Sequence, residues 1–267
     1  MGTAAPSPTL NRLRQTLAGL DPSLGPQFAE EVRSLPLAAP IDPVLGGGLA
    51  CGALHELAPA TSMHMAATSG FAIALAARAS AARGEVLWIA PDFARTEAGA
   101  PYGPGLALFG IELARLLVVR VPRAVDVLWA MEEALRCPAL ACVVAELDGE
   151  GAEADLTATR RLSLAARDGL SGGCSGLGLL IRHRATPMPS AASTRWQIAA
   201  GASWPDAYGG LGRTCFDLVL RKNRRGPLGQ WIIEWDHHER AFRSALSVGM
   251  AEAALDRPDR ALSARIG

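Results

Sequence analysis

Residues 45–57 read LGGGLACGALHEL, a glycine-rich turn that leads directly into an apolar segment. Consecutive glycines favour a turn because glycine adopts backbone conformations that other residues avoid. The apolar residues Ala53–Leu57 predict a short buried strand, and the helical pattern SGFAIALAARASAARG follows after a polar loop. This order of turn, strand, loop and helix is the layout in which an α/β protein places a phosphate at a helix N-terminus.

The same alternation of short apolar runs and longer helical segments continues along the chain. The predicted strands are Ala53–Leu57, Val86–Ala90, Leu116–Val121, Ala141–Leu147 and Gly178–Arg182. The predicted helices are Ser69–Arg83, Gly105–Leu113, Ala124–Cys137 and Asp155–Asp168. Strands that alternate with helices pair in parallel, and a continuous apolar strand such as ACVVAEL fits a sheet buried on both sides. We therefore predict an α/β fold with a doubly wound, mostly parallel sheet and helices on both faces.

The pattern differs towards both ends of the chain. After His183 the sequence predicts a long loop with one short strand near Arg195–Ala199, and then an antiparallel β-hairpin in which TCFDLVL and QWIIEWD flank RKNRRGPLG. Residues 1–33 predict a short amphipathic helix on a tether, which packs on its own domain or docks on a partner. Its apolar positions are Leu10, Leu13, Leu17 and Leu20. The predicted organisation is 1–33 helix and tether, 34–247 core domain and 248–267 tail.

Composition excludes several classes of protein. The 267 residues carry 26 Lys and Arg against 26 Asp and Glu, so bulk electrostatic coating of nucleic acid or membrane is excluded, although a local basic patch is not. Five cysteines without a C-x-x-C pair predict reduced thiols rather than a disulfide framework or a zinc site. The chain shows no signal-peptide core and no apolar run of roughly 18 residues. We expect a cytoplasmic protein without membrane contact or bound metal.

The phosphate-binding chemistry expected after the first strand is missing. The pattern G-x-x-x-x-G-K-[ST] does not occur, and Lys222 is the only lysine in the chain. Ser69 is instead predicted to cap the following helix. Glu146, at the end of an apolar strand, is a candidate Mg²⁺ carboxylate, and Asp92 is a candidate for activating water. These three residues mark a degenerate nucleotide site, so we predict no catalytic residue and no cofactor.

A basic cluster lies at the predicted hairpin tip. It consists of Arg221, Lys222, Arg224 and Arg225, and Trp231 and Trp235 follow it. Cations with nearby aromatic side chains can follow a nucleic-acid backbone. A solvated tip whose charges discourage association between sheet edges is the competing interpretation.

The segment LPLAAPIDPVLGGGLACGALHEL resembles the RecA superfamily, in which a similar glycine-rich threshold leads into the first core strand. The matching positions are Ile41, Asp42, Leu45–Leu49, Gly52, Glu56 and Leu57. Within that superfamily the chain is most similar to the ImuA family. The similarity covers roughly residues 35–245 and includes SGFAIALAARA, VLWIAP, GIELARLLVVRV, VLWAMEEALRC, TRWQIAAGAS and RTCFDLVLRKNRRGPLGQWIIEWD.

The resemblance implies a RecA-like fold and an accessory role in translesion DNA synthesis during the SOS response. Implied partners are an ImuB-like Y-family scaffold, an error-prone DNA polymerase III α-type subunit and RecA. In RecA proteins the loop after the fourth core strand contacts single-stranded DNA, and its equivalent here is Arg182–Tyr208. The candidate contacts within it are Arg184, Arg195 and Trp196.

Three functional hypotheses follow. The leading one is an adaptor whose RecA-like core has lost its nucleotide site and holds the partners of a mutagenesis complex. The second is a residual DNA-stimulated ATPase that uses Glu146 and Asp92. The third is a SulA-type inhibitor of cell division, although SulA proteins are shorter and lack a basic hairpin of this kind.

Overall fold

A computed structural model describes residues 33–81, 84–92, 101–147, 154–171, 176–184, 188–203, 210 and 212–245. The predicted N-terminal helix with Leu10, Leu13, Leu17 and Leu20 lies outside these residues, as does the predicted tail 248–267. The three-part organisation therefore stays a prediction.

The described residues form eleven strands and five α-helices. Strands β1 (Ser34–Leu35) and β2 (Leu49–Ala50) pair antiparallel beside the main sheet. The main sheet contains β3 (Ala53–Pro59), β4 (Glu85–Pro91), β5 (Leu116–Val121), β6 (Leu140–Leu147), β7 (Leu177–Arg182), β8 (Thr194–Ala200), β9 (Thr214–Asn223), β10 (Gly229–Asp236) and β11 (Ala241–Ser244). The helices are α1 (Asp42–Leu45), α2 (Met65–Ser80), α3 (Gly103–Phe109), α4 (Ala124–Leu135) and α5 (Leu156–Ser171).

The main sheet combines a parallel half and an antiparallel half. Its nine strands lie in the order β11-β10-β9-β8-β3-β7-β6-β4-β5. All pairs from β8 to β5 are parallel, whereas β8 with β9, β9 with β10, and β10 with β11 are antiparallel. The prediction of an α/β fold with a large, mostly parallel sheet is confirmed, and the antiparallel β9 and β10 fit the predicted hairpin.

Two hydrophobic clusters cover the two faces of the sheet, because successive strand residues point to opposite sides. In β4, Val86 and Trp88 join the cluster formed with α2 and α3, whereas Leu87 and Ile89 join the cluster formed with α4 and α5. The first cluster continues under β8–β11 through aromatic side chains such as Phe216. The apolar spacing of the strands and helices in the sequence therefore reflects which side chains pack in these two clusters.

The observed helix boundaries differ most from the predicted ones, by four residues, at the start of α2 and at the end of α3. Helix α2 begins at Met65 rather than Ser69, because a 3-10 turn over Ser62–His64 leads directly into it. Ser69 therefore lies inside the helix, and its prediction as the N-cap is wrong. Helix α3 ends at Phe109 because Gly110 adopts φ 101°, a left-handed conformation typical of helix ends.

Candidate functional site

An irregularity in β9 sets the position of two basic side chains. Arg195 of β8 lies opposite Lys222, but the next residue, Trp196, lies opposite Leu220, so Arg221 is an additional residue in β9. Such a bulge redirects the side chains next to it. Arg221 and Lys222 thus belong to the strand and not to the hairpin tip, which corrects the prediction from sequence.

Three cations converge on the side of β8 and β9 that is turned away from α2. Arg221 donates from Nε and Nη2 to Gln197 Oε1 at 2.8 and 2.5 Å. Lys222 Nζ donates to the carbonyl oxygen of Ser190, and Arg195 approaches from the neighbouring strand. We call Arg195, Arg221 and Lys222 the basic face.

The basic face is anchored by one buried carboxylate in the central strand β3. Glu56 Oε1 accepts from Arg182 Nη2 at 2.9 Å and from Ser190 Oγ at 2.7 Å, while Oε2 accepts from Arg195 Nε at 2.7 Å. Burial raises the pKa of the Glu56 carboxyl, but Arg182, Ser190 and Arg195 outweigh it and hold that pKa below its ordinary value. Glu56 is therefore ionised at neutral pH.

Positive charge exceeds negative charge around this carboxylate. The Nε and Nη1 groups of Arg182 are buried without a hydrogen-bond partner among the described residues. Burial lowers the pKa of Lys222, and the charges of Arg224 and Arg195 lower it further, against an opposing effect of Glu56. Arg182, Arg195 and Lys222 bring three positive charges close to the single negative charge of Glu56, and this excess favours anions.

Three further predicted DNA contacts, Arg184, Arg224 and Arg225, are not part of the basic face. Arg184 is exposed just after β7, and Arg224 is exposed in the β9–β10 turn, where its backbone N–H donates to Ser193. Arg225 lies over the glycine turn, and its guanidinium is 3.5 Å from the position that a Cβ on Gly46 would occupy. Arg225 thus also helps to pack the hairpin turn on the first part of the chain.

The structure contradicts the prediction that Trp196 contacts DNA. Its side chain is fully buried in the cluster under α2, where it packs near Phe71 and Trp231. The indole Nε1 donates to Thr194 Oγ1 at 2.8 Å. A fully buried indole cannot stack on a base in this arrangement, so Trp196 is a core residue.

Of the predicted nucleotide-site carboxylates, Glu146 is enclosed and Asp92 is exposed. Glu146 Oε1 accepts from Trp88 Nε1 at 2.5 Å, and Oε2 lies 3.2 Å from His183 Nε2. Asp92 follows β4 with its side chain in solvent. Glu146 lies near the end of β6 and Asp92 directly after β4, and these two strands are neighbours in the sheet.

The loop between β3 and α2, where a phosphate would bind, is short and is hydrogen-bonded to strand β8. The residues Ala60 and Thr61 separate β3 from the 3-10 turn, and the Ala60 N–H donates to Ile198 in β8. The Ala200 N–H donates to His64 Nδ1 at 3.1 Å. These contacts fix the loop against the end of β8.

The sequence reasoning did not identify the anchors of this site. In the sequence Glu56 stands out only as a motif match, and Arg182, Ser190 and His183 carry no local signal. A charged residue inside the apolar run ALHEL is a usable signal, because a buried carboxylate requires partners. The identity of those partners is not visible locally, since Arg182 and Arg195 are 126 and 139 residues away.

Neither a metal-ligand cluster nor a membrane-spanning helix is present in the part of the chain that the structure describes. No three His, Cys, Asp or Glu side chains there converge on a common point that would suit a metal ion. None of the helices in that part is long and apolar enough to cross a membrane.

Comparison with known proteins places the chain in a family. No family model matches the sequence. Protein ImuA of Caulobacter vibrioides, from strain NA1000 / CB15N and from strain ATCC 19089 / CIP 103742 / CB 15, is 32% identical over 203 residues in each case. The match spans 71% of this chain and 77% of each relative. Identity at this level over most of both chains shows that the chain belongs to the ImuA family.

Proposed function

We propose that the chain is an accessory protein of damage-inducible translesion DNA synthesis, which acts as an adaptor through contacts with proteins and single-stranded DNA. The observation that carries this proposal is the convergence of Arg195, Arg221 and Lys222 on one side of the sheet. Membership of the ImuA family supports the same role. A doubly wound parallel core with an antiparallel extension supports a RecA-like interpretation of the fold.

The adaptor does not hydrolyse ATP. The chain lacks the G-x-x-x-x-G-K-[ST] pattern, and both oxygens of Glu146 already contact Trp88 and His183. A carboxylate with both oxygens engaged is poorly placed to hold Mg²⁺. We expect no phosphate release in the presence of single-stranded DNA, measured with the purified full chain. Saturable, tight ATP binding with DNA-stimulated release would instead indicate a residual ATPase.

The basic face supplies the DNA contact. Cations that neutralise phosphates displace counterions. On a single strand, the logarithm of the binding constant therefore falls by about 0.7 per phosphate contact for each tenfold rise in salt concentration. Replacing both Arg221 and Lys222 by Ala should weaken binding to all sequences and flatten the salt slope by about 1.4. Fluorescence anisotropy of a labelled oligonucleotide across a salt series measures both quantities.

Arg136→Ala is the matched control for that experiment. It removes a cation that pairs with Glu132 and Glu133 on α4, away from β8 and β9. The control should bind with the wild-type affinity and salt slope. An unchanged slope in the Arg221 and Lys222 variant would assign the basic face to solubility rather than to DNA.

The protein partners are an ImuB-like Y-family scaffold, an error-prone DNA polymerase III α-type subunit and RecA. Affinity capture of the tagged chain from DNA-damaged cells, followed by mass spectrometry, tests this assignment. Recovery of the scaffold or the polymerase subunit supports the adaptor role. Recovery of the cell-division filament protein in their place would favour a SulA-type inhibitor and contradict the proposal.

A further inference from the structure

Lys222 is the only lysine in the chain, and the proposed function uses only its charge. The residue is half-buried near the end of β9, directly after the additional residue Arg221. Its Nζ donates to the carbonyl oxygen of Ser190, which fixes the amine beside the segment that leads into β8. A lysine amine is also a nucleophile whenever it is deprotonated.

The surroundings of Lys222 favour this deprotonated form. Arg195 lies directly opposite Lys222 in the pairing of β8 with β9, and Arg224 follows two positions later in the β9–β10 turn. Partial burial has the largest effect on the pKa of Lys222 and lowers it, and the charges of Arg224 and Arg195 lower it further. Desolvation and neighbouring cations are two means by which proteins activate a lysine as a nucleophile.

The Glu56 carboxylate opposes these effects, but it acts more weakly than either arginine. Glu56 Oε1 accepts from Arg182 Nη2 and Ser190 Oγ, and Oε2 accepts from Arg195 Nε. Because both oxygens are occupied by other donors, Glu56 does not form an ion pair with Lys222. The amine is therefore not held in its charged form by a carboxylate partner.

The same cations select the kind of electrophile that reaches the amine. Arg224 is exposed in the turn, and a planar guanidinium binds a phosphate group through two parallel hydrogen bonds. A donor that carries its acyl group on a phosphate is attracted to these charges, whereas an uncharged ester is not. When the bond between the acyl carbon and the phosphate oxygen breaks, negative charge develops on the leaving phosphate. Arg224 and Arg195 lie where they stabilise that charge.

We propose that Lys222 is an acylation site that accepts an acyl group from an acyl phosphate. The neutral Nζ attacks the carbonyl carbon and forms an amide C–N bond, while the bond from that carbon to the phosphate oxygen breaks. The proton lost from nitrogen goes to the leaving inorganic phosphate, so the reaction needs no oxidant, reductant or further reactant. The amide product carries no charge.

Acylation removes one of the three cations of the basic face and thereby regulates its affinity for DNA. This consequence rests on the proposed DNA contact, whereas the acylation itself does not. On a single strand each phosphate contact contributes about 0.7 to the salt slope, so the acylated chain should have a slope that is smaller by about 0.7.

The test treats the purified full chain with acetyl phosphate and follows acetylation by mass spectrometry with peptide mapping. Since Lys222 is the only lysine, mapping separates its acetylation from that of the terminal amine without ambiguity. Nα-acetyl-lysine amide in the same solution is the reference for an ordinary lysine amine. Lys222 should be acetylated at least about threefold faster than this reference. Inorganic phosphate should slow the acetylation of Lys222 but not that of the reference.

Arg224→Gln removes one of the neighbouring cations from an exposed position and should slow the acetylation of Lys222 by at least about threefold. Arg136→Gln is the matched control, because it removes an arginine that pairs with Glu132 on α4, and it should react at the wild-type rate. Nitrophenyl acetate, an uncharged donor, tests recognition of the phosphate separately. The Arg224→Gln variant should lose less of its rate with this ester than with acetyl phosphate.

A Lys222 rate equal to that of the reference amine, a rate insensitive to inorganic phosphate, or an unchanged rate in Arg224→Gln overturns the proposal. Fluorescence anisotropy of the acetylated chain with a labelled oligonucleotide separates this result from that of the proposed function. An acetylated Lys222 with an unchanged salt slope would contradict the DNA contact and leave the acylation site in place. A Lys222 that resists acetylation in a chain with the expected salt slope would contradict the acylation site and leave the DNA contact in place.

Discussion

At the scale of single residues, the buried polar groups of β3 determine how its neighbours are held. Glu56 binds groups from β7, from β8 and from the segment before β8. Removing one partner of a buried ion pair lowers the free energy of unfolding by more than the intact pair contributes to it. The remaining charge then stays buried without a partner. Glu56 is therefore a structural anchor of the proposed DNA-binding surface.

Glu56→Gln should lower the free energy of unfolding by about 3 kcal/mol, since it leaves Arg182 without a counter-ion in a buried position. Denaturation by urea measures this change. Glu133→Gln removes a carboxylate from an exposed pair on α4 and should change stability by less than about 1 kcal/mol. Equal stabilities of the two variants would show that Glu56 does not hold the site together.

His55 is the second buried polar residue of β3. Its Nδ1 lies 2.7 Å from Thr194 Oγ1, and its Nε2 lies 2.9 Å from the Ala50 carbonyl oxygen. Burial lowers the pKa of His55 from 6.5 to about 4, and the positive charge of Arg225 contributes to this effect while the hydrogen bond to Ala50 opposes it. The imidazole is therefore neutral in the folded protein at physiological pH.

Stability should fall as the pH drops from about 6.5 towards about 4, because the unfolded chain binds the His55 proton and the folded chain does not. The full effect is about 3 kcal/mol, at 1.36 kcal/mol per pH unit. Denaturation at pH 7 and pH 5 should differ by about 2 kcal/mol of it, since pH 5 lies 1.5 units below the ordinary pKa of 6.5. His55→Gln removes the titrating group and keeps polar atoms for both partners, so its pH dependence should be weaker. An identical pH dependence in both proteins would contradict the assignment to His55.

At the scale of elements, the glycine turn between α1 and β2 allows close packing of the backbone. Gly46, Gly47 and Gly48 all have positive φ. A Cβ on Gly48 would lie 2.4 Å from the Leu35 carbonyl oxygen, and a Cβ on Gly226 would lie 2.4 Å from that of Val44. Gly48 therefore packs directly on the backbone of Leu35, and Gly226 in the β9–β10 turn packs directly on the backbone of Val44 in α1.

Gly48→Ala should destabilise the protein by at least about 2 kcal/mol, through the strain of a positive φ and the contact with the backbone of Leu35. Thermal unfolding measures the loss. Gly105→Ala is the control, because Gly105 lies inside α3 with a normal φ and meets only Tyr102 Cδ1 at 3.4 Å. Alanine there should be neutral or stabilising by up to about 1 kcal/mol. A tolerated Gly48→Ala would show that the turn adapts to a side chain.

At the scale of the whole molecule, burial is concentrated in the centre of the sheet. Every residue of β7 is buried, and β6 is nearly so, whereas β11 at the antiparallel edge is half exposed. Strands with helices on both faces open only when much of the domain unfolds, while edge strands open locally.

Amide hydrogen exchange should be slowest in β6 and β7 and much faster in β11. Mass spectrometry of peptic fragments over a time course measures the difference. Because opening of β7 requires disruption of both hydrophobic clusters, its protection should approach the global free energy of unfolding. Comparable exchange in β7 and β11 would mean that the sheet opens as one unit.

The sequence by itself determined the α/β class, the main strands and the helices that separate them, because the apolar patterns of strands and helices are local properties. Residues 116–121, for example, are a strand with the same limits in the sequence prediction and in the structure. The tertiary structure alone decided which polar side chains meet. Trp196 is in the core, Arg221 and Lys222 share one side through a bulge, and Glu56 finds its partners more than a hundred residues away. Contacts of that kind depend on strand order and register, which arise only when the whole sheet has assembled.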